Sequence, residues 1–217
     1  GIRRIFLSVN YLASQVEEWF GDGSGYHCRI DYLREDRPLG TGGALALLPE
    51  RPHAPLVVMN GDLFTRINIA RMLAFHRAGD FRATMALRQH DVTVPFGVAE
   101  VDGSRVSRLV EKPKLSYRIN AGIYTIDPVL LDDIDTGRLF PITELFAGAL
   151  ARDERIGAYH MQEQWVDIGV PEQFRSVQGP CPWPDATSSS SANATTGPPA
   201  GRARSCAGAA RPSPSCT

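Results

Sequence analysis

Apolar residues change their spacing several times along the chain. Ile5 to Ser8 is a short strand candidate, and Leu12, Val16, Trp19 and Phe20 then fall on one helical face that Gly21 to Gly25 terminate. Leu56-Val57-Val58-Met59 is a continuous apolar run, as expected of a strand buried on both faces of a parallel sheet. Ile69 to Ala78 predicts a helix. Ala83 to Leu87, Gly97 to Val101 and Val106 to Val110 predict strands, the last two joined by an Asp102-Gly103 turn. Ile119 to Ile126 predicts a further strand, and Asp127-Pro128 supplies a cap and a first-turn proline for a helix through about Ile134. A last helix is expected from about Pro141 to Arg152, burying Leu145, Phe146, Ala149 and Leu150. This alternation predicts an α/β sheet covered by helices, with ligands at the carboxyl ends of its strands.

From about Ser176 the periodicity stops. Residues 1–175 are therefore expected to form one domain and 176–217 a low-complexity disordered tail, since nothing there offsets the entropy of ordering. The abrupt change also fits a frameshifted or unrelated extension. Asn193-Ala194-Thr195 matches a glycosylation acceptor, but no secretory signal accompanies it, and chance is the better account.

Composition narrows the function classes. The chain is 43% hydrophobic and 22% charged, ordinary for a soluble globular protein. A net charge of -1 gives no basic surface for nucleic acid, and no apolar run approaches the ~20 residues of a membrane span; the cytoplasm is the default compartment expected. Of four cysteines only Cys28 lies in a patterned region, and no C-x-x-C spacing suggests zinc or a disulfide framework. The chain starts at Gly1 and not at a methionine, which reads as a fragment or a processed product.

Several polar residues fall where strands end. Asn60-Gly61-Asp62 follows Met59 directly and would bring out a carboxylate there; a loop acid or helix cap fits the same residue. In Leu39-Gly40-Thr41-Gly42-Gly43, Thr41 could cap the helix-like run Ala44 to Leu48, with free N–H groups facing an anion or a base edge; a plain tight turn fits equally. Glu111-Lys112-Pro113 could divide sugar hydroxyls and phosphate between its two charges, or be a surface ion pair at a strand end. Asn120-Ala121-Gly122 suggests close approach to a ligand or a bulge. Trp165-Val166-Asp167-Ile168-Gly169 places a second acid after a short apolar stretch, where core beside a loop is the alternative.

Together, E-x-x-P-L-G-T-x-G-A-L (Glu35 to Leu45), N-G-D (Asn60 to Asp62), F-G-V (Phe96 to Val98), E-K-P (Glu111 to Pro113), N-A-G-I-Y (Asn120 to Tyr124) and W-x-D-I-G (Trp165 to Gly169) stand in the order found in nucleotide-sugar pyrophosphorylases. From Gly1 to about Phe174 the chain resembles this sugar-phosphate nucleotidyltransferase family, most nearly its mannose-1-phosphate and amino-sugar-1-phosphate guanylyltransferases.

The resemblance implies a Rossmann-like mixed sheet covered by helices, binding a nucleoside triphosphate (GTP favoured) and a sugar 1-phosphate. The sugar phosphate oxygen would attack the α-phosphorus in line and displace pyrophosphate, and Mg2+ would bridge the reacting phosphates. Carried over residue by residue, Asp62 and Asp167 would hold Mg2+ and form the catalytic group with Lys112, which would bind the sugar's phosphate. Gly40 and Thr41, with Glu35, would line the base pocket; Gly97, Glu111, Asn120 and Gly122 would bind the sugar. The family also begins with a G-x-G-T-R-L loop followed by a P-K, and neither stands ahead of Glu35 in this sequence. The first strand and its triphosphate loop are thus expected to be lacking. The expected consequence is poor or no catalysis, with a non-catalytic binding module or a product without function as the other readings.

Overall fold

The structure, a computed structural model, describes residues 2–169. The 175/176 boundary, the tail, and Cys181, Cys206 and Cys216 lie outside them. Strand β1 (Arg4–Val9) is followed by helix α1 (Ala13–Phe20) and by β2 (Arg29–Arg34), which runs parallel to β1 with Ile5 beside Ile30. A single turn of helix, α2 (Gly40–Gly43), continues as a 3₁₀ turn over Ala44–Leu47. Strands β3 (Leu56–Met59) and β4 (Leu63–Thr65) flank Asn60-Gly61-Asp62, and helix α3 (Ile69–Ala78) leads into β5 (Ala83–Thr93). A hairpin of β6 (Val98–Asp102) and β7 (Arg105–Val110) precedes the long β8 (Lys114–Ile126). A 3₁₀ turn (Pro128–Asp133), α4 (Ile142–Ala151), β9 (Ile156–His160) and β10 (Trp165–Asp167) follow.

The central sheet is mixed, in the order β3-β8-β5-β9: β8 runs antiparallel to β3 and β5, and β9 is parallel to β5. Because side chains alternate along β8, it feeds two cores. Tyr124 and Ile126 pack with Leu130, Phe140 and the α4 residues Ile142, Leu145, Phe146 and Ala149. Ala121 and Ile123 pack on the other face with Met72 of α3, Ala86 and Met161. Helices thus cover both faces, and each fully buried Leu, Ile or Phe contributes about 1.5–3 kcal/mol.

Within α4 the buried positions are spaced i, i+3, i+4, i+7 from Ile142. Leu150, expected to be buried, is exposed because it stands about a quarter turn off that stripe. The helix expected after Asp127-Pro128 is a 3₁₀ turn; Asp127 caps it as expected, accepting from Val129 N at 3.0 Å. Strand β3 forms where expected but pairs antiparallel and is only half-buried, with Met59 50% exposed. Among the described residues, both β1 and β3 have a hydrogen-bonded strand on one side only. The apolar face expected of α1 is likewise largely uncovered, with Trp19 77% exposed, and Leu12 stands outside the helix as its left-handed N-cap.

Candidate active site

Asp62 follows β3 through Gly61 and stands immediately before β4, while Asp167 ends β10. Antiparallel pairing of these two short strands sets Asp167 opposite Leu63, and Ile168 N donates to Asp62 O at 2.8 Å. The two carboxylates meet over Gly169. A Cβ added to that glycine would lie 2.8 Å from Asp62 Oδ2 and 3.0 Å from Asp167 Oδ1, which puts the two oxygens within about 6 Å of each other. Asp167 Oδ1 accepts from Gly169 N at 3.0 Å, whereas the Asp62 carboxylate makes no hydrogen bond or ion pair among the described residues. Two carboxylates this close repel unless a cation lies between them. No group of three or more His, Cys, Asp or Glu side chains is gathered anywhere among the described residues. Two oxygen ligands beside a space that a methyl group would fill suit a hard ion that keeps water and phosphate in its other positions.

Asn120-Ala121-Gly122 is the bulge that its sequence suggested, and the close approach it makes is to Asn60. The β5–β8 register shifts between Met85 and Leu87, so this segment is a bulge, with Gly122 at φ +71°. A Cβ on Gly122 would lie 2.9 Å from Asn60 Nδ2, and Asn60 N donates to Gly122 O at 2.9 Å, so the glycine makes room for the N-G-D segment. Asn120 braces the bulge from within, its Oδ1 accepting from Gly122 N at 2.9 Å and its Nδ2 donating to the Tyr124 hydroxyl at 2.8 Å. Burial raises the pKa of that hydroxyl, which holds it as a neutral phenol. Trp165 Nε1 donates to Ala121 O at 2.8 Å. Three separated segments, N-G-D, N-A-G and W-x-D-I-G, are thus joined into one rim.

Gly97, Glu111 and Lys112 form a second group. A Cβ on Gly97 would lie 3.0 Å from Glu111 Oε2, so the glycine lets that carboxylate settle on the backbone. Lys112 has a left-handed backbone (φ +44°) and makes no ion pair among the described residues, whereas Lys114 is held by Asp91 at 2.9 Å. Lys114 pairs with Thr93 and Asn120 with Leu87, so about 20 Å of extended strand lies between Lys114 and the bulge. No hydrogen bond or ion pair joins Lys112 or Glu111 to Asp62.

The glycine-rich segment differs from expectation. Thr41 does not cap Ala44 to Leu48; its Oγ1 accepts from Ile142 N at 3.0 Å and so caps α4, one hundred and one residues away in sequence. The N–H groups of Gly42 and Gly43 are not free for a ligand, since both donate to Phe140 O at 3.0 Å. Gly40 (φ +80°) and Gly42 are required by this packing, because a Cβ on either would come within 3.0 Å of Phe140. The N–H groups of Gly40 and Thr41 are those not spent on Phe140. Both carboxylate oxygens of Glu35 are engaged: one accepts from Ser8 Oγ, the other from Leu39 N at 2.8 Å. Glu35 therefore ties β1 to the residue before the glycines.

An α/β sheet with two converging carboxylates, and with a lysine that makes no ion pair among the described residues, defines a class of fold suited to phosphorylated ligands. The chain belongs to the nucleotidyl transferase family, whose pattern matches residues 1–179. It is 33% identical over 180 residues to a mannose-1-phosphate guanylyltransferase of Mycobacterium tuberculosis, covering 80% of this chain and 50% of that protein. It is 31% identical over 190 residues to a mannose-1-phosphate guanyltransferase of Schizosaccharomyces pombe, covering 83% and 52%. The chain thus spans about half the length of these relatives. Among solved structures, HddC from Yersinia pseudotuberculosis superposes with a TM-score of 0.62 at 23% identity, over 81% of this chain and 77% of that one. A putative glucose-1-phosphate thymidylyltransferase from Bacillus anthracis gives 0.61 at 22%, over 79% and 73%. At these identities the two structures speak for the fold alone. No helix among the described residues is long and apolar enough to cross a membrane.

Proposed function

We propose that this chain carries the sugar-phosphate half of a nucleotidyl transfer from a nucleoside triphosphate, with GTP favoured, to a sugar 1-phosphate. The observation that carries this reading is the convergence of Asp62 and Asp167 over the missing side chain of Gly169. The family match and the guanylyltransferase relatives support it, and the names of those relatives support the lean to guanine.

Asp62 and Asp167 would hold a divalent ion, Mg2+ by its preference for oxygen ligands and retained waters. When bound, that ion neutralises phosphate oxygens and orients them for displacement. A sugar 1-phosphate oxygen is ionised at neutral pH and needs no general base. Its bond to the α-phosphorus forms as the bond from that phosphorus to the β-bridging oxygen breaks, and the electron pair leaves with pyrophosphate. The protein's part is positioning and charge. Lys112, without a carboxylate partner among the described residues, and Glu111 on Gly97 would meet the sugar phosphate from the second group, across the length of strand that separates them from the aspartates. Asn120 and Gly122 shape the wall beside the aspartates, and Gly40 and Thr41 present unspent N–H groups to the base. Glu35 supports that loop and leaves contact with the nucleotide to its neighbours.

Pyrophosphate release with GTP, CTP, UTP or dTTP and mannose 1-phosphate tests the reading. Mg2+-dependent release that Asp62→Asn abolishes supports it. Calorimetric binding of the sugar phosphate without turnover would favour the non-catalytic binding module, and neither binding nor turnover would contradict both readings.

A further inference from the structure

We propose that Arg88 is a positioning residue that holds Trp165, and through it the Asp167 end of β10, against the Asn120–Gly122 bulge. The inference rests on the reading of Asp62 and Asp167 as ligands of one divalent ion.

Strand β5 sends Thr84 and Ala86 into the core beneath α3, and Arg88 is the next residue on that face. An arginine there is half-buried in a position that alternation reserves for an apolar side chain, so its charge needs partners. It finds three on one segment. Its Nη1 donates to Glu163 O at 3.4 Å and to Trp165 O at 3.3 Å, and its guanidinium lies 5.6 Å from the centre of the Trp165 ring. The same indole donates from Nε1 to Ala121 O at 2.8 Å.

Arg88 therefore fixes the backbone on both sides of Gln164 and the plane of the ring, while the ring fixes the carbonyl at the centre of the bulge. Two residues after Trp165 comes Asp167, and its pairing opposite Leu63 carries the placement on to Asp62. β10 and β4 are only three residues long and, among the described residues, pair only with each other, so the hydrogen bonds between them do not by themselves set their position on the main sheet. Asn60 N to Gly122 O ties the start of β4 to it and Met161 N to Leu87 O the segment before β10, while the Arg88–Trp165–Ala121 chain is the link at β10 itself. Arg88 touches no reacting atom in this account; it acts through Trp165.

The test uses the full 217-residue chain. Hydrogen exchange at the Trp165 indole N–H, assigned against Trp165→Phe, reports the bond to Ala121, and Mn2+ titration by calorimetry reports the carboxylate pair. Arg88→Met keeps an unbranched apolar stem without the donors. It is expected to speed indole exchange at least tenfold and to weaken Mn2+ binding roughly tenfold, with an unchanged urea midpoint and with Arg88→Lys recovering part of both. Unchanged exchange in Arg88→Met overturns the proposal. So does faster exchange with undiminished Mn2+ binding where Asp167→Asn abolishes it. Should Arg88→Met fail to fold, Trp165→Phe carries the decision, because wild-type Mn2+ affinity in that variant contradicts positioning through the indole. If Asp62→Asn and Asp167→Asn both leave Mn2+ binding intact, the metal reading itself fails. The exchange arm then still decides whether Arg88 holds Trp165.

Discussion

Asp62 and Asp167 lie one hundred and five residues apart in sequence, yet their carboxylate oxygens both come within 3.0 Å of the place where a side chain on Gly169 would begin. The glycine is what keeps that space open. Among the described residues nothing else around it demands glycine, because its φ lies outside the left-handed region.

Gly169→Ala is accordingly a probe of the site more than of the fold. Its methyl group would push at least one carboxylate away. Mn2+ affinity measured by calorimetry is expected to fall about 10–100-fold, the scale for disturbing the surroundings of a metal ligand, while the urea midpoint stays near wild type. Unchanged affinity would show that the two carboxylates do not share an ion across this space.

Thr41→Val should behave differently. Its hydroxyl accepts from Ile142 N at the start of α4, where no residue of α4's own N-cap supplies a side-chain cap. Losing it should cost about 1 kcal/mol in urea denaturation, with Thr41→Ser close to wild type. Equal stability of all three proteins would contradict the cross-chain cap.

His76 makes stability depend on pH. It is buried on α3, its Nδ1 lies 2.9 Å from Thr84 Oγ1, and burial lowers its pKa from 6.5, opposed by Asp127 and assisted by Arg77. The unfolded chain therefore takes up this proton before the folded one does. Stability from His76 is whole above pH 6.5 and declines as pH falls from there to the lower folded value. Urea midpoints at pH 7 and pH 5 should show a smaller difference in His76→Asn, which can still bond Thr84, than in the wild type. An identical difference would contradict the assignment.

Much of this architecture was legible because it obeys simple periods. Ile69 to Ala78 is the helix the pattern gives, and Ile142, Leu145, Phe146 and Ala149 mark the buried stripe of α4. Strands β2, β4, β9 and β10 escaped notice for physical reasons. β2 reads Arg-Ile-Asp-Tyr-Leu-Arg, with charges among its apolar residues, and β4 and β10 have three residues each, too few to show a period. β8 starts five residues earlier than expected because Lys114 to Arg118 lie outside the core. That stretch is held instead by Asp91, whose carboxylate accepts from Ser116, Gln89 and Lys114 and is kept well below its usual pKa.

At the candidate site, the order of the segments pointed to residues that the fold gathers from three strand ends, but not to how their hydrogen bonds are spent. Gly42 and Gly43 looked like free donors because their acceptor, Phe140 O, lies nearly one hundred residues away. Glu35 looked like a ligand contact because Ser8 becomes its neighbour only after β1 and β2 pair, while its second oxygen is taken locally by Leu39 N. Arg88 did leave a signal, an arginine on the core-facing side of an apolar strand after Thr84 and Ala86.

Anomalous diffraction at the manganese edge, from crystals of the full chain grown with Mn2+ and a sugar 1-phosphate, tests the shared ion most directly. The account predicts one strong peak within about 2.5 Å of an oxygen of Asp62 and of an oxygen of Asp167, absent from Asp62→Asn crystals. A peak bound to other residues, or none between these two, would contradict it.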